Sequence, residues 1–191
     1  MSVLEVVEKF VSINGEGTKA GQLAVFIRFK GCNLNCKYCD TKWANEADVT
    51  AQQMTKEDIL EYVLSTGVKN VTLTGGEPLL RDGIEEVIEC LADNNLNVEI
   101  ETNGSIPLDN IRKLHKDNVT FTMDYKLSCS GMEQAMRLEN FSVLNKNDTV
   151  KFVAGCHEDL VRTKQIIEKY NLYGKCNLYI CLLYTSPSPR D

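Results

Sequence analysis

The sequence contains no apolar run of about eighteen residues or more, so it offers no candidate for a membrane-spanning helix. Its start, Met1-Ser2-Val3-Leu4-Glu5, has neither the basic residues nor the apolar core of a signal peptide, and the protein is expected in the cytoplasm. Clusters of Lys and Arg are also missing. Against 27 acidic residues stand 21 basic ones, a net charge of -6, which argues against nonspecific nucleic-acid binding as the main task. No internal repeat is visible, and 191 residues suit one domain able to bury its own core. In a reducing compartment the eight cysteines do not read as a disulfide framework, which leaves metal ligation and burial as small hydrophobes.

Three of those cysteines fall in Gly31-Cys32-Asn33-Leu34-Asn35-Cys36-Lys37-Tyr38-Cys39-Asp40-Thr41, spaced Cys-x3-Cys-x2-Cys. On a helical projection they occupy an arc of about 60°, and a glycine-started loop would let them converge equally well. Thiolates are soft ligands for zinc or iron-sulfur clusters. A tetrahedral structural zinc wants a fourth Cys or His close by, and none follows within about fifteen residues. A 4Fe-4S cluster held by three cysteines instead leaves one iron open to an outside ligand.

The remaining pattern alternates strands and helices. An apolar-polar alternation from Leu4 to Ile13 suggests a strand or hairpin arm ended by Asn14-Gly15-Glu16-Gly17. Leu23 to Lys30 is an apolar strand running straight into the cysteines, with Arg28 as its odd residue. A guanidinium there needs an anionic partner, either a protein carboxylate or a substrate anion. Thr55-Lys56-Glu57-Asp58 starts a helix to about Ser65. Strands are expected at Asn70–Thr74, Leu96–Glu101, Val119–Asp124, Asp148–Ala154 and Cys176–Leu183. Helices are expected at Asp82–Asn94, Leu108–Lys116, Gly131–Glu139 and His157–Tyr170. This rhythm gives right-handed βαβ units and a parallel sheet, as a partial barrel or an open doubly wound sheet, with working groups at the C-terminal ends of the strands. The unusual polar clusters obey that rule. The cysteines follow the first strand, Gly75-Gly76-Glu77-Pro78 the second, Glu101-Thr102-Asn103-Gly104 the third and Asp124-Tyr125-Lys126-Leu127-Ser128 the fourth.

The cysteine triad with Tyr38 before its last member, followed after the next strand by Gly-Gly-Glu-Pro, resembles the radical S-adenosylmethionine superfamily. Ile13-Asn14-Gly15-Glu16-Gly17, Arg28, Cys39-Asp40-Thr41, Thr74-Gly75-Gly76-Glu77-Pro78 and Glu101-Thr102-Asn103-Gly104 resemble the branch of it that forms 7-carboxy-7-deazaguanine for queuosine and other deazapurines. The similarity spans about residues 4 to 180.

That resemblance implies a lyase on a partial (β/α)6 barrel with an N-terminal hairpin extension. Its cofactors would be a 4Fe-4S cluster, S-adenosylmethionine and Mg2+. Cys32, Cys36 and Cys39 would ligate the cluster. Gly75, Gly76 and Glu77 would meet the methionine amino group, Tyr38 would border the adenine, and Asp40, Asn103 and Ser128 would be further cofactor contacts. The implied substrate is 6-carboxy-5,6,7,8-tetrahydropterin, rearranged with loss of ammonia. Arg28 would hold its carboxylate, Ile13, Asn14, Gly15 and Glu16 would edge the pterin, and Thr74 would lie on the same rim. Thr41 would be a magnesium ligand, and no side chain is assigned as acid or base. A flavodoxin-type electron donor and a homodimer are expected, with no direct nucleic-acid or membrane contact.

Two departures stand out. Asn14 occupies a position where the family commonly has glutamine. The chain ends in Tyr184-Thr185-Ser186-Pro187-Ser188-Pro189-Arg190-Asp191, a low-complexity stretch expected to be a non-native tail on a domain of residues 1–183. Of the other cysteines, Cys90 is expected to pack, Cys129 and Cys156 stand alone, and Cys176 and Cys181 would face opposite ways in one strand. His115 is expected at a helix C-terminus and His157 at a helix start. The alternatives are a glycyl-radical-enzyme activating protein, with which Asp124-x-Lys126 is compatible, and a non-catalytic zinc or iron-sulfur module.

Overall fold

The computed structural model describes residues 2–183. The expected tail of residues 184–191 lies outside the described residues. Eight strands form one open sheet: β1 (Leu4–Ile13), β2 (Leu23–Phe29), β3 (Gln52–Met54), β4 (Asn70–Gly75), β5 (Asn97–Thr102), β6 (Val119–Tyr125), β7 (Thr149–Ala154) and β8 (Asn177–Leu182), in the order β3-β1-β2-β4-β5-β6-β7-β8. From β2 to β8 every neighbouring pair is parallel, while β1 lies antiparallel to both β2 and β3. The six parallel strands are the expected partial barrel, and the β1–β2 hairpin is its expected extension.

Within these strands the two faces differ, which is unusual for parallel pairing, where both faces are normally apolar. Val25, Ile27 and Phe29 of β2, Val71 and Leu73 of β4, Val98 and Ile100 of β5, Phe121 and Met123 of β6, and Val150 and Phe152 of β7 all enter the core. The intervening residues, among them Arg28, Thr74, Glu101, Thr122, Asp124 and Lys151, line a cavity on the opposite face. A period of two along each strand thus separates a dry side from a polar interior.

Helices α1 (Lys56–Thr66) and α2 (Ile84–Asp93) begin and end close to where the sequence places them. Thr55 and Asp58 form a reciprocal capping box, and Gly67 closes α1 in the left-handed conformation. Ile84, Val87, Ile88 and Leu91 form the buried stripe of α2. Two expected helices are much shorter than their patterns suggest. The first is only α3 (Asp109–Arg112), because His115 has turned left-handed at φ 51° and the chain leaves the helix. In place of a helix over 131–139 there is a 3-10 turn at Glu133–Ala135, then α4 (Asn140–Val143). Tertiary contacts take over in this segment. Glu133 accepts from Arg162 Nε at 2.6 Å and Met136 enters the core, so good local helix formers are pulled into an irregular path. The last helix, α5 (His157–Lys169), begins at His157 as expected.

Asp159, in the first turn of α5, is fully buried and ties three segments together. Its carboxylate accepts from Ser128 Oγ at 2.7 Å, Gly155 N at 2.9 Å and Cys129 N at 3.4 Å. Burial disfavours its charge, but the Cys129, Gly155 and Ser128 donors outweigh that and hold the carboxyl down at about 2. Because its folded value is depressed, its contribution is present above the ordinary carboxyl range and lost as pH falls through about 2. Asp159→Ala strands these donors and is expected to cost about 2–4 kcal/mol in denaturant unfolding. An unchanged unfolding midpoint would refute the assignment.

Candidate active site

The cysteine segment is a loop, entered through Gly31 at φ 84°, whose amide donates to Ala44 O at 3.1 Å. Cys32, Cys36 and Cys39 are all free thiols and all line one cavity of about 560 Å³ at the C-terminal rim of the parallel strands. Cys32 Sγ accepts from Leu34 N at 3.4 Å and Asn103 Nδ2 at 3.5 Å, donors of the kind that a ligating thiolate needs. Burial pushes the Cys32 and Cys36 thiols up. Among the described residues no three His, Cys, Asp or Glu side chains gather around a single ion. Three thiols lining one cavity suit a cluster that takes one cysteine sulfur per iron.

The Gly-Gly-Glu turn is laced onto the base of that loop. Gly76 N donates to Phe29 O at 3.3 Å and Glu77 N to Gly31 O at 3.0 Å. Gly75 has φ 136°, and a Cβ placed on it would run into the backbone of Phe29; one on Gly76 would run into Gly31 O. Both glycines line the cavity with bare backbone, a surface open to a cofactor's amino group.

Glu77 follows these glycines and turns its side chain into the protein. Its side chain is fully buried, with Oε1 accepting from Leu79 N at 3.1 Å and Thr102 Oγ1 at 2.9 Å and Oε2 from Asn103 N at 2.7 Å. It therefore does not line the cavity. Its carboxylate thereby ties the Gly-Gly-Glu turn to the end of β5. The Ser128 hydroxyl donates to Asp159 Oδ1 at 2.7 Å, and Ser128 borders a surface cleft next to Gly131 and Met132. Ile13 is 63% exposed and directly precedes Asn14, the first residue of this loop on the cavity lining.

The other expected residues do meet. Asn14, Gly15, Glu16, Arg28, Tyr38, Asp40, Thr41, Thr74 and Asn103 share the cavity with the cysteines and glycines. The odd guanidinium of Arg28 has a protein partner, with Nε 2.9 Å from Glu8 Oε2 across the β1–β2 pair. Among the described residues no hydrogen-bond partner takes its Nη groups, which leaves them for an anion in the cavity. Asn103 Nδ2 also donates to Asn33 Oδ1 at 3.0 Å, so it braces the cysteine loop as well as lining the space. Thr41 Oγ1 lies 3.6 Å from Cys39 Sγ. The Tyr38 hydroxyl is buried with no partner among the described residues, and burial pushes it up. Asp124 Oδ1 is orphaned in the same way.

Sequence reasoning gave no role to Lys151 and did not show that Asp124, Lys126 and Glu16 would meet it in a line of charges on the inner wall. Lys126 Nζ pairs with Asp124 Oδ2 at 2.8 Å, while Lys151 Nζ lies 2.6 Å from Glu16 Oε2 and 3.6 Å from Asp124. Glu101, bonded to Thr74, is pushed up by burial. Their signal was present as polar or charged residues alternating with apolar ones along β5, β6 and β7, a pattern with no use in a sheet buried on both faces. Of the remaining cysteines, Cys181 lines the cavity and Cys176 is in the core, so they do face opposite ways.

A strand-rimmed cavity with three loop cysteines and an abutting Gly-Gly-Glu turn defines a radical S-adenosylmethionine enzyme, and the family model described as "Radical SAM superfamily" matches residues 26–125, just over half of the chain. The curated 7-carboxy-7-deazaguanine synthase of Clostridium acetobutylicum is 58% identical over 187 residues, covering 97% of this chain and 84% of that protein. The synthase of Methanospirillum hungatei is 33% identical over 190 residues, covering 99% of this chain and 76% of the relative. The crystal structure of QueE from Escherichia coli superposes with a TM-score of 0.74 at 22% identity, covering 95% of this chain and 84% of that one, a likeness of fold. The chain belongs to the 7-carboxy-7-deazaguanine synthase family of radical S-adenosylmethionine enzymes. Enzymes of this superfamily work with a 4Fe-4S cluster and S-adenosylmethionine, and the donor set on the cavity wall fits both.

Proposed function

We propose that this chain converts 6-carboxy-5,6,7,8-tetrahydropterin to 7-carboxy-7-deazaguanine with loss of ammonia, in queuosine and deazapurine biosynthesis. The observation that carries this is the shared cavity of about 560 Å³, lined by three cysteines, bare glycine backbone and a guanidinium whose Nη groups have no partner among the described residues. When bound, the cluster and S-adenosylmethionine supply the electron and the 5'-deoxyadenosyl radical that start the rearrangement.

Cys32, Cys36 and Cys39 hold the cluster, and the backbone of Gly75 and Gly76 receives the methionine end of the cofactor. Tyr38 and Asp40 border it. Arg28 holds the substrate carboxylate through its Nη groups, with Glu8 fixing the plane of the guanidinium through Nε. Glu16 and Glu101 accept from the amino and ring N–H donors of the pterin, with Thr74 between them on the rim. Asn14 and Gly15 shape the edge of the site. Thr41 offers a neutral oxygen to a magnesium ion that keeps most of its waters.

No helix among the described residues is long and apolar enough to cross a membrane. We place the enzyme in the cytoplasm as a homodimer that draws electrons from a flavodoxin-type protein. Anaerobic reconstitution with iron and sulfide, followed by reductant, S-adenosylmethionine and the tetrahydropterin, is expected to give 7-carboxy-7-deazaguanine and ammonia in equal amounts. Formation of 5'-deoxyadenosine without any deazaguanine would refute the substrate. Arg28→Ala is expected to raise KM for the tetrahydropterin about 30-fold or more while leaving cluster content unchanged; an unaltered KM would remove Arg28 from the carboxylate.

A further inference from the structure

The loop between β1 and β2 crosses the open side of the half-barrel. Its short turn, Gly17–Lys19, packs against β7 and β8, at the far edge of the sheet from the hairpin that carries it. Asn14 anchors the near end. It is buried, its Nδ2 donates to Glu99 Oε2 at 2.9 Å, and its Oδ1 accepts from Glu16 N at 3.0 Å. Thr122 Oγ1 completes the Glu99 site at 2.6 Å.

Further along, Gln22 N donates to Lys19 O at 3.1 Å and Lys19 Nζ to Thr120 Oγ1 at 3.4 Å, but the segment around Glu16 has less support. Gly15 has open space where a Cβ would stand, Gly17 is left-handed at φ 65°, and the Glu16 side chain is 51% exposed. A half-exposed carboxylate between two glycines samples many rotamers unless something holds it. The residue that does so comes from 135 positions along the chain: Lys151 Nζ reaches Glu16 Oε2 at 2.6 Å. Lys151 is itself only 16% exposed, so its ammonium has lost most of its water and needs carboxylate partners. Asp124, its other close partner at 3.6 Å, is already paired with Lys126. Glu16 therefore supplies the lysine's one short, unshared contact.

We propose that Lys151 is a positioning residue that holds Glu16, and with it the 14–19 loop, in the geometry that receives the substrate. The inference rests on the placement of the tetrahydropterin at Glu16 proposed above. Lys151 aims the carboxylate without touching the reacting atoms. It also ties the hairpin extension to β7, so the substrate site draws on strands from opposite sides of the open sheet.

The test is Lys151→Met in the full chain, with Lys151→Arg as the charge-conserving control. Two measurements need no turnover. Tetrahydropterin binding to the reconstituted protein is expected to weaken about tenfold in Lys151→Met and to recover within about threefold of wild type in Lys151→Arg. Amide hydrogen exchange over residues 15–20 is expected to accelerate in Lys151→Met while β5 and β6 keep their protection. In turnover, KM is expected to carry most of the loss and kcat to fall less than about threefold.

Because Lys151→Met could also loosen the fold, Glu16→Gln is combined with it. The two effects on binding are expected to be strongly non-additive, since each variant removes the same contact. Additive effects, unchanged exchange over 15–20, or a fall in kcat with KM intact would each overturn the proposal. If wild-type protein binds no tetrahydropterin, the substrate assignment itself falls; if wild type and Lys151→Met bind it equally, only the role of Lys151 falls.

Discussion

Gly76→Ala is expected to lower the unfolding free energy of the cluster-free protein by about 3 kcal/mol or more, and to reduce iron retention after reconstitution. The cause is a backbone collision. A Cβ on Gly76 would enter Gly31 O and the Asn45 side chain at the point where the cysteine loop leaves β2. An exposed side chain could move aside, but here the obstacle is a carbonyl already engaged by Glu77 N at 3.0 Å. Relief requires either the Gly-Gly-Glu turn or the cysteine loop to shift, and both border the cavity. Guanidinium titration by circular dichroism, with iron analysis in parallel, measures both effects. A Gly76→Ala protein of wild-type midpoint that retains its iron would show that the close approach is dispensable.

Glu77→Ala is expected to cost about 3–5 kcal/mol, because it leaves the Leu79 and Asn103 amides and the Thr102 hydroxyl buried without an acceptor. Glu77→Gln keeps the shape but turns one acceptor oxygen into a donor that faces an N–H group, at a cost of about 1–3 kcal/mol. The carboxyl also carries a pH signature. Burial raises it to about 7 against the opposing pull of the Asn103, Leu79 and Thr102 donors. Its folded value lies above the unfolded value of 4.5, so the native state binds the proton more tightly. The associated stability is full below about 4.5 and is lost as pH rises through about 7. Unfolding free energies of the cluster-free protein at pH 5.5 and 8 are expected to differ more for wild type than for Glu77→Gln. Equal pH slopes would show that Glu77 does not titrate in this range.

Both predictions concern residues whose motif was plain in the sequence and whose role was not. Gly-Gly-Glu-Pro follows a strand and its glycines line the cavity, yet spacing does not show that the Glu77 carboxylate is fully buried. That burial depends on Thr102 and Asn103, which β5 brings alongside only once it pairs with β4. The same holds for Arg28. Its need for an anion was legible, and its Nε partner Glu8 is set by the cross-strand register of β1 and β2. Ser128 is a further case: its place after β6 was legible, and its hydrogen bond to Asp159 depends on where α5 packs.

The sequence by itself determined the six parallel strands, the cysteine loop, the rim on which the motifs gather and the N-terminal hairpin, because these depend on local periodicity and on the fixed hand of βαβ connections. The tertiary structure decided which polar residues face the cavity and which brace it from below. It also ended two expected helices early and drew the 14–19 loop across to Lys151. The physical reason is that a buried carboxylate or ammonium takes the best partner within reach, and which groups come within reach is set by strand pairing and packing over separations such as the 135 residues between Glu16 and Lys151.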